Sequence, residues 1–270
     1  MMGTSSAAPK KLDLRGITKR FDTPEGGILA VDDISLSVEK GRFTSIIGQS
    51  GCGKSTLFNI FAGLLKPSSG AVVLDGEDIT GRAGMISYML QKDLLLPWRT
   101  ILDNVIFGLE LQGIGRDAAR ETARPFLARY GLGAFENHYP AALSGGMRQR
   151  AALLRTLLCN KDVILLDEPF AALDAQTRFR MQQWLLTLWR DFDLTILFVT
   201  HDVDEAIFLS DDIVVLSPRP GRVRDSFPVG LPRPRARDIV TTPEFGRLKH
   251  RCLELLFEGR TSEDEEAETA

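Results

Sequence analysis

Gly48-Gln49-Ser50-Gly51-Cys52-Gly53-Lys54-Ser55-Thr56 is the stretch on which the fold turns. It fits the pattern G-x-x-x-x-G-K-[ST], follows the strand-like run Phe43 to Ile47 and precedes the helical run Leu57 to Leu65. In that setting the glycines let backbone N–H groups converge on phosphate oxygens, and the helix N-terminus adds about half a positive charge. Lys54 would reach the β- and γ-phosphates of a nucleoside triphosphate, and Ser55 would ligate Mg²⁺. A chance glycine-rich turn lacks these flanking elements. The motif alone does not separate a kinase, a GTPase, a motor and a transporter ATPase.

Outward from this loop, the chain alternates apolar runs with helical patterns. Ile34 to Val38 alternates like a half-buried strand, whereas Val163 to Leu166, Ile196 to Val199 and Ile213 to Leu216 are continuous and suit parallel strands covered on both faces. After Asp174, a plausible N-cap, Met181, Trp184, Leu185 and Leu188 recur at helical spacing. Strand, helix, strand in this order predicts a mostly parallel sheet with right-handed crossovers. Residues 92 to 143 differ, with helical patterns over Ile101 to Leu111 and Asp117 to Tyr130 and no strong strand, and predict a helical insertion. Pro218 to Gly221 predicts a hairpin turn, the arginine-rich 219 to 237 stretch a solvated or interface loop, and Thr242-Pro243-Glu244 the opening of a last helix.

Composition is that of an ordinary globular chain, with 44% apolar and 26% charged residues in 270. No apolar run exceeds Ile60 to Leu65, far below the roughly 20 residues that cross a bilayer. The first residues are small and polar, without the apolar segment of a secretory leader, and Cys52, Cys159 and Cys252 fit neither a disulfide framework nor a zinc pattern. A cytosolic protein is expected. The net charge of −3 comes from the end of the chain: without Glu263, Asp264, Glu265, Glu266 and Glu268 the remainder carries +2. Residues 1–11 and 261–270 read as flexible tails.

Val163 to Leu166 ends in Asp167-Glu168. A carboxylate at the end of a buried strand beside the phosphate loop holds Mg²⁺, and an adjacent acid can polarise the attacking water. With Leu143-Ser144-Gly145-Gly146-Met147-Arg148-Gln149-Arg150 standing shortly upstream, the chain closely resembles ATP-binding cassette (ABC) proteins. The resemblance covers roughly residues 12 to 230. It implies an α/β P-loop NTPase with a mostly parallel core sheet, an antiparallel β subdomain and a helical insertion. The expected limits are 12–240 for the ATP-binding domain, with its helical subdomain at about 92–143, and 241–260 for a C-terminal helix.

The same resemblance implies ATP and Mg²⁺ as cofactors and assigns roles. Phe21 stacks on adenine, and Gln91 senses Mg²⁺ and water; Glu168 polarises the water, and His201 contacts the γ-phosphate. Ala172-Leu173-Asp174 is similar to the D-loop. Ser144, Gly145 and Gly146 would face the γ-phosphate of a second ATP-binding subunit, so a complete site needs two copies, in a homodimer. Ser144 and Asp174 also fit plain helix caps. Met147 departs from the glutamine frequent in the family and removes a polar contact there, although Gln149 is near. Cys52, at a helix N-terminus that lowers thiol pKa, reads either as a target for thiol reagents that block ATP binding or, as the favoured alternative, as a tolerated small residue at a variable position.

Gln91 to Trp98, Asp103-Asn104-Val105, Asp167 to Asp174 and Ser217-Pro218-Arg219-Pro220-Gly221-Arg222 resemble bacterial importer ATPases of the nitrate, sulfonate, taurine and thiamine-pyrimidine-precursor group. That implies separate permease chains, a periplasmic or lipoprotein solute-binding protein acting indirectly, and a peripheral place on the cytoplasmic face of the inner membrane. Trp98 and Leu94 to Leu96 would line the groove for the permease or, equally, belong to the core. The alternative is a non-transport ABC ATPase in DNA repair, translation or cofactor assembly, and a weaker third option is a small-molecule kinase. No nucleic-acid partner is expected, because the arginine-rich stretch has little aromatic interleaving.

Overall fold

The computed structural model describes residues 10–24, 26–159 and 161–257, which form two sheets with helices. An antiparallel sheet is made of Lys10–Phe21 (β1), Ile28–Glu39 (β2), Ser69–Leu74 (β4) and Glu77–Asp78 (β5), in the order β2-β1-β4-β5. The central sheet takes Phe43–Ile47 (β3), Ser87–Met89 (β6), Val163–Asp167 (β7), Thr195–Thr200 (β8), Asp212–Leu216 (β9) and Val223–Pro228 (β10), in the order β10-β9-β3-β8-β7-β6. All its neighbours are parallel except β10, which returns from β9 as a hairpin.

The continuous apolar runs are strands because each faces two cores. Phe43, Ile164, Leu166, Ile196, Phe198, Ile213 and Val215 point into one cluster, and Ile46, Val163, Leu165, Leu197, Val199 and Val214 into another. The second cluster is closed by Lys54–Phe61 (α1) and the antiparallel sheet. The first is closed by Ile101–Val105 (α2), Phe107–Leu111 (α3), Arg116–Arg129 (α4), Gly145–Leu157 (α5), Ala175–Phe192 (α6), Val203–Leu209 (α7) and Pro243–Phe257 (α8). Each such buried side chain contributes about 2 kcal/mol of transfer free energy. The parallel strands all end on one edge, where ligands bind in open α/β sheets.

Three sequence expectations change. Lys10 and Lys11 are not part of a lead-in but begin β1. The Lys11 ammonium is buried between Asp75 at 2.7 Å and Asp162 at 2.8 Å, a pairing that its charge alone conceals. The helix expected over 101–111 is split at Ile106 into α2 and α3, and a Cβ on Gly108 would come within 2.4 Å of the Cys159 sulfur. Close packing against the end of α5 thus sets the second piece.

Nor is the arginine-rich stretch a solvated loop throughout. Arg235 is 5% exposed and donates through Nη1 to the carbonyls of Ile207, Phe208 and Ser210, at 2.9, 3.0 and 2.7 Å. It caps α7, and burial with the neighbouring Arg233 lowers its pKa to about 10. The expected last helix is α8, with Thr242 Oγ1 accepting from the N–H of Phe245. Residues 258–260 of its expected range, the acidic 261–270 tail and residues 1–9 lie outside the described residues.

Candidate active site

The phosphate loop follows β3 and leads into α1, and its glycines are fixed by what surrounds them. Gly53 has φ +104°, and a Cβ there would meet Val31 Cγ1 at 2.6 Å and the Ala30 carbonyl at 2.9 Å. The antiparallel sheet therefore backs the loop, while Gly51 at φ +75° has open space where a Cβ would project. Lys54 is 7% exposed and donates to the carbonyls of Gly48 at 2.7 Å and Gln49 at 2.9 Å. It is thus held across the concave side of its own loop.

Gly221 closes the back of the loop. Its N–H donates to the Ala30 carbonyl at 3.0 Å, and its carbonyl accepts from Asp32 at 2.9 Å. A Cβ on Gly221 would lie 2.2 Å from the Cys52 carbonyl. Cys52 itself is 1% exposed, and burial pushes its thiol pKa up despite the nearby Lys54. Of the two readings of Cys52, the tolerated small residue fits and the reactive thiol does not: desolvation outweighs the helix terminus.

Across the strand edge, Asp167 is buried at the end of β7. Burial, with Glu168 beside it, holds its carboxyl above the usual range, against hydrogen bonds from Tyr88 and Ser55. The Tyr88 hydroxyl donates to Asp167 Oδ2 at 3.2 Å. Glu168 follows with φ +45°, a left-handed backbone for a residue with a side chain, and its N–H donates to the Val199 carbonyl at 2.9 Å. That bond to β8 aims the side chain out of the sheet. Its Oε2 accepts from Gln91 Nε2 at 3.2 Å and lies 3.3 Å from His201 Nδ1. Gln91 after β6, Glu168 after β7 and His201 after β8 thus meet at one oxygen.

The donor set fits the ligands that the sequence suggests. A convex anion would find the glycine-lined loop, the buried ammonium and the positive end of α1. A buried aspartate beside a serine hydroxyl is an all-oxygen set suited to Mg²⁺, and Gln91 keeps its amide oxygen in reserve. Among the described residues no group of three His, Cys, Asp or Glu side chains forms a metal cage of its own. Such a site would need oxygens from the nucleotide and water to complete it.

Other expected site residues lie apart from this centre. Phe21, at the end of β1, is 37% exposed with Lys19 Nζ 5.1 Å from its ring centroid. Ser144 caps α5, its hydroxyl accepting from the N–H of Met147 at 3.3 Å. Gly145 and Gly146 lie where α5 meets α6, and a Cβ on Gly146 would come within 2.8 Å of Thr177 Cγ2. Their described contacts run to Leu173, Arg148 and Thr177 rather than to the phosphate loop. Met147 packs on the core, and Gln149 is buried and donates to the Pro169 carbonyl at 2.6 Å. Gln149 therefore does not replace the polar contact missing at Met147. It ties α5 to the segment after Glu168. Asp174 caps α6 by accepting from the N–H groups of Gln176 and Thr177.

The sequence reading misses the roles of Tyr88, Gly221 and Gln149 in this geometry. Only Gly221 carried a signal, a glycine after two prolines.

The family model for ABC transporters matches residues 31–171. An uncharacterised ABC transporter ATP-binding protein of Methanocaldococcus jannaschii is 46% identical over 246 residues, 91% of each chain. The taurine import ATP-binding protein TauB of Yersinia pestis is 42% identical over 86% of this chain and 92% of its own. The nitrate import ATP-binding protein NrtD of Synechocystis is 39% identical over 95% and 98%. Among solved structures, a dimeric post-hydrolysis state of the ATP-binding cassette MJ0796 with ADP and Pi superposes with a TM-score of 0.71. It shares 32% identity and covers 81% of this chain and 98% of that one.

Proposed function

Because this chain belongs to the ABC transporter family and is an ATPase of that family, we propose that it energises a bacterial importer. It would act as a homodimer at the cytoplasmic face of the inner membrane, on separate permease chains, with solute brought by a periplasmic or lipid-anchored binding protein. The observation that carries the hydrolytic part is the single Glu168 oxygen shared by Gln91 and His201, beside the buried Asp167.

In this reading Lys54 binds the β- and γ-phosphates through a donor already on the concave side of the loop. Ser55 and Asp167 would hold Mg²⁺, which would supply charge neutralisation to the bound phosphates. Glu168 accepts the proton of the attacking water, oriented by Gln91 and His201. Phe21 stacks on adenine, and Ser144, Gly145 and Gly146 of one copy cover the nucleotide of the other. The exposure of Ser144, and the contacts of Gly145 and Gly146 with Leu173, Arg148 and Thr177 rather than with their own phosphate loop, support that trans role.

Two observations support the importer. The import-named relatives align over nearly their whole length, although their names carry different solutes, taurine and nitrate, so no solute is assigned. In the segment that follows Gln91, whose side chain touches Glu168, Leu94 is 51% and Trp98 72% exposed. A permease helix seated there would sense hydrolysis through Gln91. No helix among the described residues is long and apolar enough to cross a membrane.

Affinity purification of the full chain from detergent-solubilised membranes of its native host tests the proposal. Membrane permease chains should co-purify, and Trp98→Glu should release them while basal ATP hydrolysis persists. Recovery with DNA or ribosomes instead would favour a non-transport ABC ATPase.

A further inference from the structure

The side chain of Gln49, inside the phosphate loop, reaches α8. Its Nε2 donates to the carbonyl of Leu256 at 2.7 Å, in the last turn of α8. The adjacent Leu255 carbonyl accepts from Arg224 Nη1. Carbonyls in a last helical turn have no partner within the helix and carry the negative end of its dipole. Left bare beside an anion site, they would oppose the phosphates.

At its other contacts α8 is fixed to α7 and β10. Lys249 Nζ lies 2.9 Å from Asp204, in the first turn of α7, whose cap Asp202 directly follows His201. Arg251 pairs with Asp225 at 2.7 Å and covers the ring of Phe227 on β10. Phe245, Cys252 and Leu256 bury the apolar face. One helix thus touches both the loop that holds Lys54 and the segment that holds His201. The main-chain carbonyl of Gln49 also accepts from Lys54 Nζ at 2.9 Å, so a single residue joins the phosphate-binding lysine to α8.

We propose that the Gln49 side chain is a positioning residue and not a nucleotide ligand: it latches the phosphate loop to the carboxyl end of α8, and α8 sets nucleotide affinity from outside the site. This rests on Gly48 to Thr56 being the nucleotide loop. Gln49→Met keeps the length and removes the donor. Gln49→Glu puts an acceptor-only carboxylate against the Leu256 carbonyl and is the harsher change. Loss of one hydrogen bond corresponds to about a three- to tenfold weaker binding.

The experiment measures KM and kcat for ATP hydrolysis in both variants of the full chain, with hydrogen exchange of the native chain with and without a non-hydrolysable ATP analogue. KM should rise about tenfold or less for Gln49→Met and more for Gln49→Glu, with kcat held near the native value. The analogue should slow amide exchange in the last turn of α8, an effect absent in Gln49→Met. Unchanged KM in a folded Gln49→Met, a fall in kcat alone, or native α8 exchange indifferent to a bound analogue would overturn the latch. If either variant fails to fold, the exchange measurement on the native chain decides. Failure of the native chain to bind the analogue at all would instead remove the nucleotide assignment itself.

Discussion

Replacing Glu168 by glycine should abolish turnover without destabilising the protein, and should slightly stabilise it. At φ +45° a residue with a Cβ is strained by about 1–2 kcal/mol, which glycine releases. Glycine returns about 0.5–1 kcal/mol of that through the greater freedom of its unfolded chain. The lost Glu168 contacts weigh little. Its side chain is 20% exposed, and one of the two partners, His201, is 60% exposed, so solvent largely replaces that contact. Removing the charge also relieves Asp167, whose carboxyl Glu168 helps to hold high. The balance is a gain of about 0.5 kcal/mol, or a rise in Tm of about 1–2 °C for a domain of this size.

Turnover behaves oppositely. Loss of a general base lowers kcat by about 10²–10⁴-fold. Glu168→Gln should match that loss with Tm near native, because it keeps the Cβ and the strain. The assays are phosphate release under saturating MgATP and differential scanning fluorimetry of the nucleotide-free chain. A drop in Tm of several degrees for Glu168→Gly would show that Glu168 holds the fold rather than straining it. Turnover near native in Glu168→Gln would remove the general-base role.

Asp167 binds its proton above the ordinary aspartate range, so its carboxylate, and with it MgATP affinity, is lost as pH falls through that raised value. Tyr88→Phe removes a bond that favours the ionised form, so the Mg²⁺-dependence of activity should fail at a still higher pH. In the free chain the sign reverses: ionisation of the buried carboxyl costs stability as pH rises, and Asp167→Asn should raise Tm at neutral pH. Lys54→Ala should abolish binding of a fluorescent ATP analogue while circular dichroism stays native, since the lysine's apo partners are carbonyls of its own loop. Arg235→Met should lower unfolding free energy in urea by about 3 kcal/mol, because three buried carbonyls lose a charged donor. Arg235→Lys should restore little of it, since an ammonium does not reproduce the fork.

The parallel strands were legible because residues buried on both faces must be apolar in unbroken runs, as in Val163 to Leu166. β1 was not, because its alternation is interrupted at Gly16 and register shifts follow it, while the buried Lys11 reads as solvated until Asp75 and Asp162 appear beside it. The phosphate loop was legible because its chemistry is local. Gln91 and His201 were marked by resemblance alone, and Glu168 also by its place after the strand-ending Asp167, since nothing in three separate strand ends states that they converge. The reactive reading of Cys52 and the solvated reading of Arg235 fail for one reason. Burial decides the state of a titratable group, and burial is a property of elements brought in from elsewhere in the chain: Gly221 over Cys52, and the end of α7 around Arg235.

The exposed Trp98 has an optical consequence. The chain has three tryptophans. Trp184 packs edge-on to Tyr130 and Trp189 to Phe43, at centroid distances of 5.7 and 6.1 Å, with Arg150 and Arg233 over their rings, so both indoles are held in packed surroundings. Trp98 stands in water, 72% exposed. Its emission should be the red-shifted, acrylamide-quenchable fraction of the spectrum, absent from Trp98→Phe. Any surface that covers the segment beyond Gln91 would then shift that fraction to the blue, so the chain carries its own fluorescent gauge of what docks there.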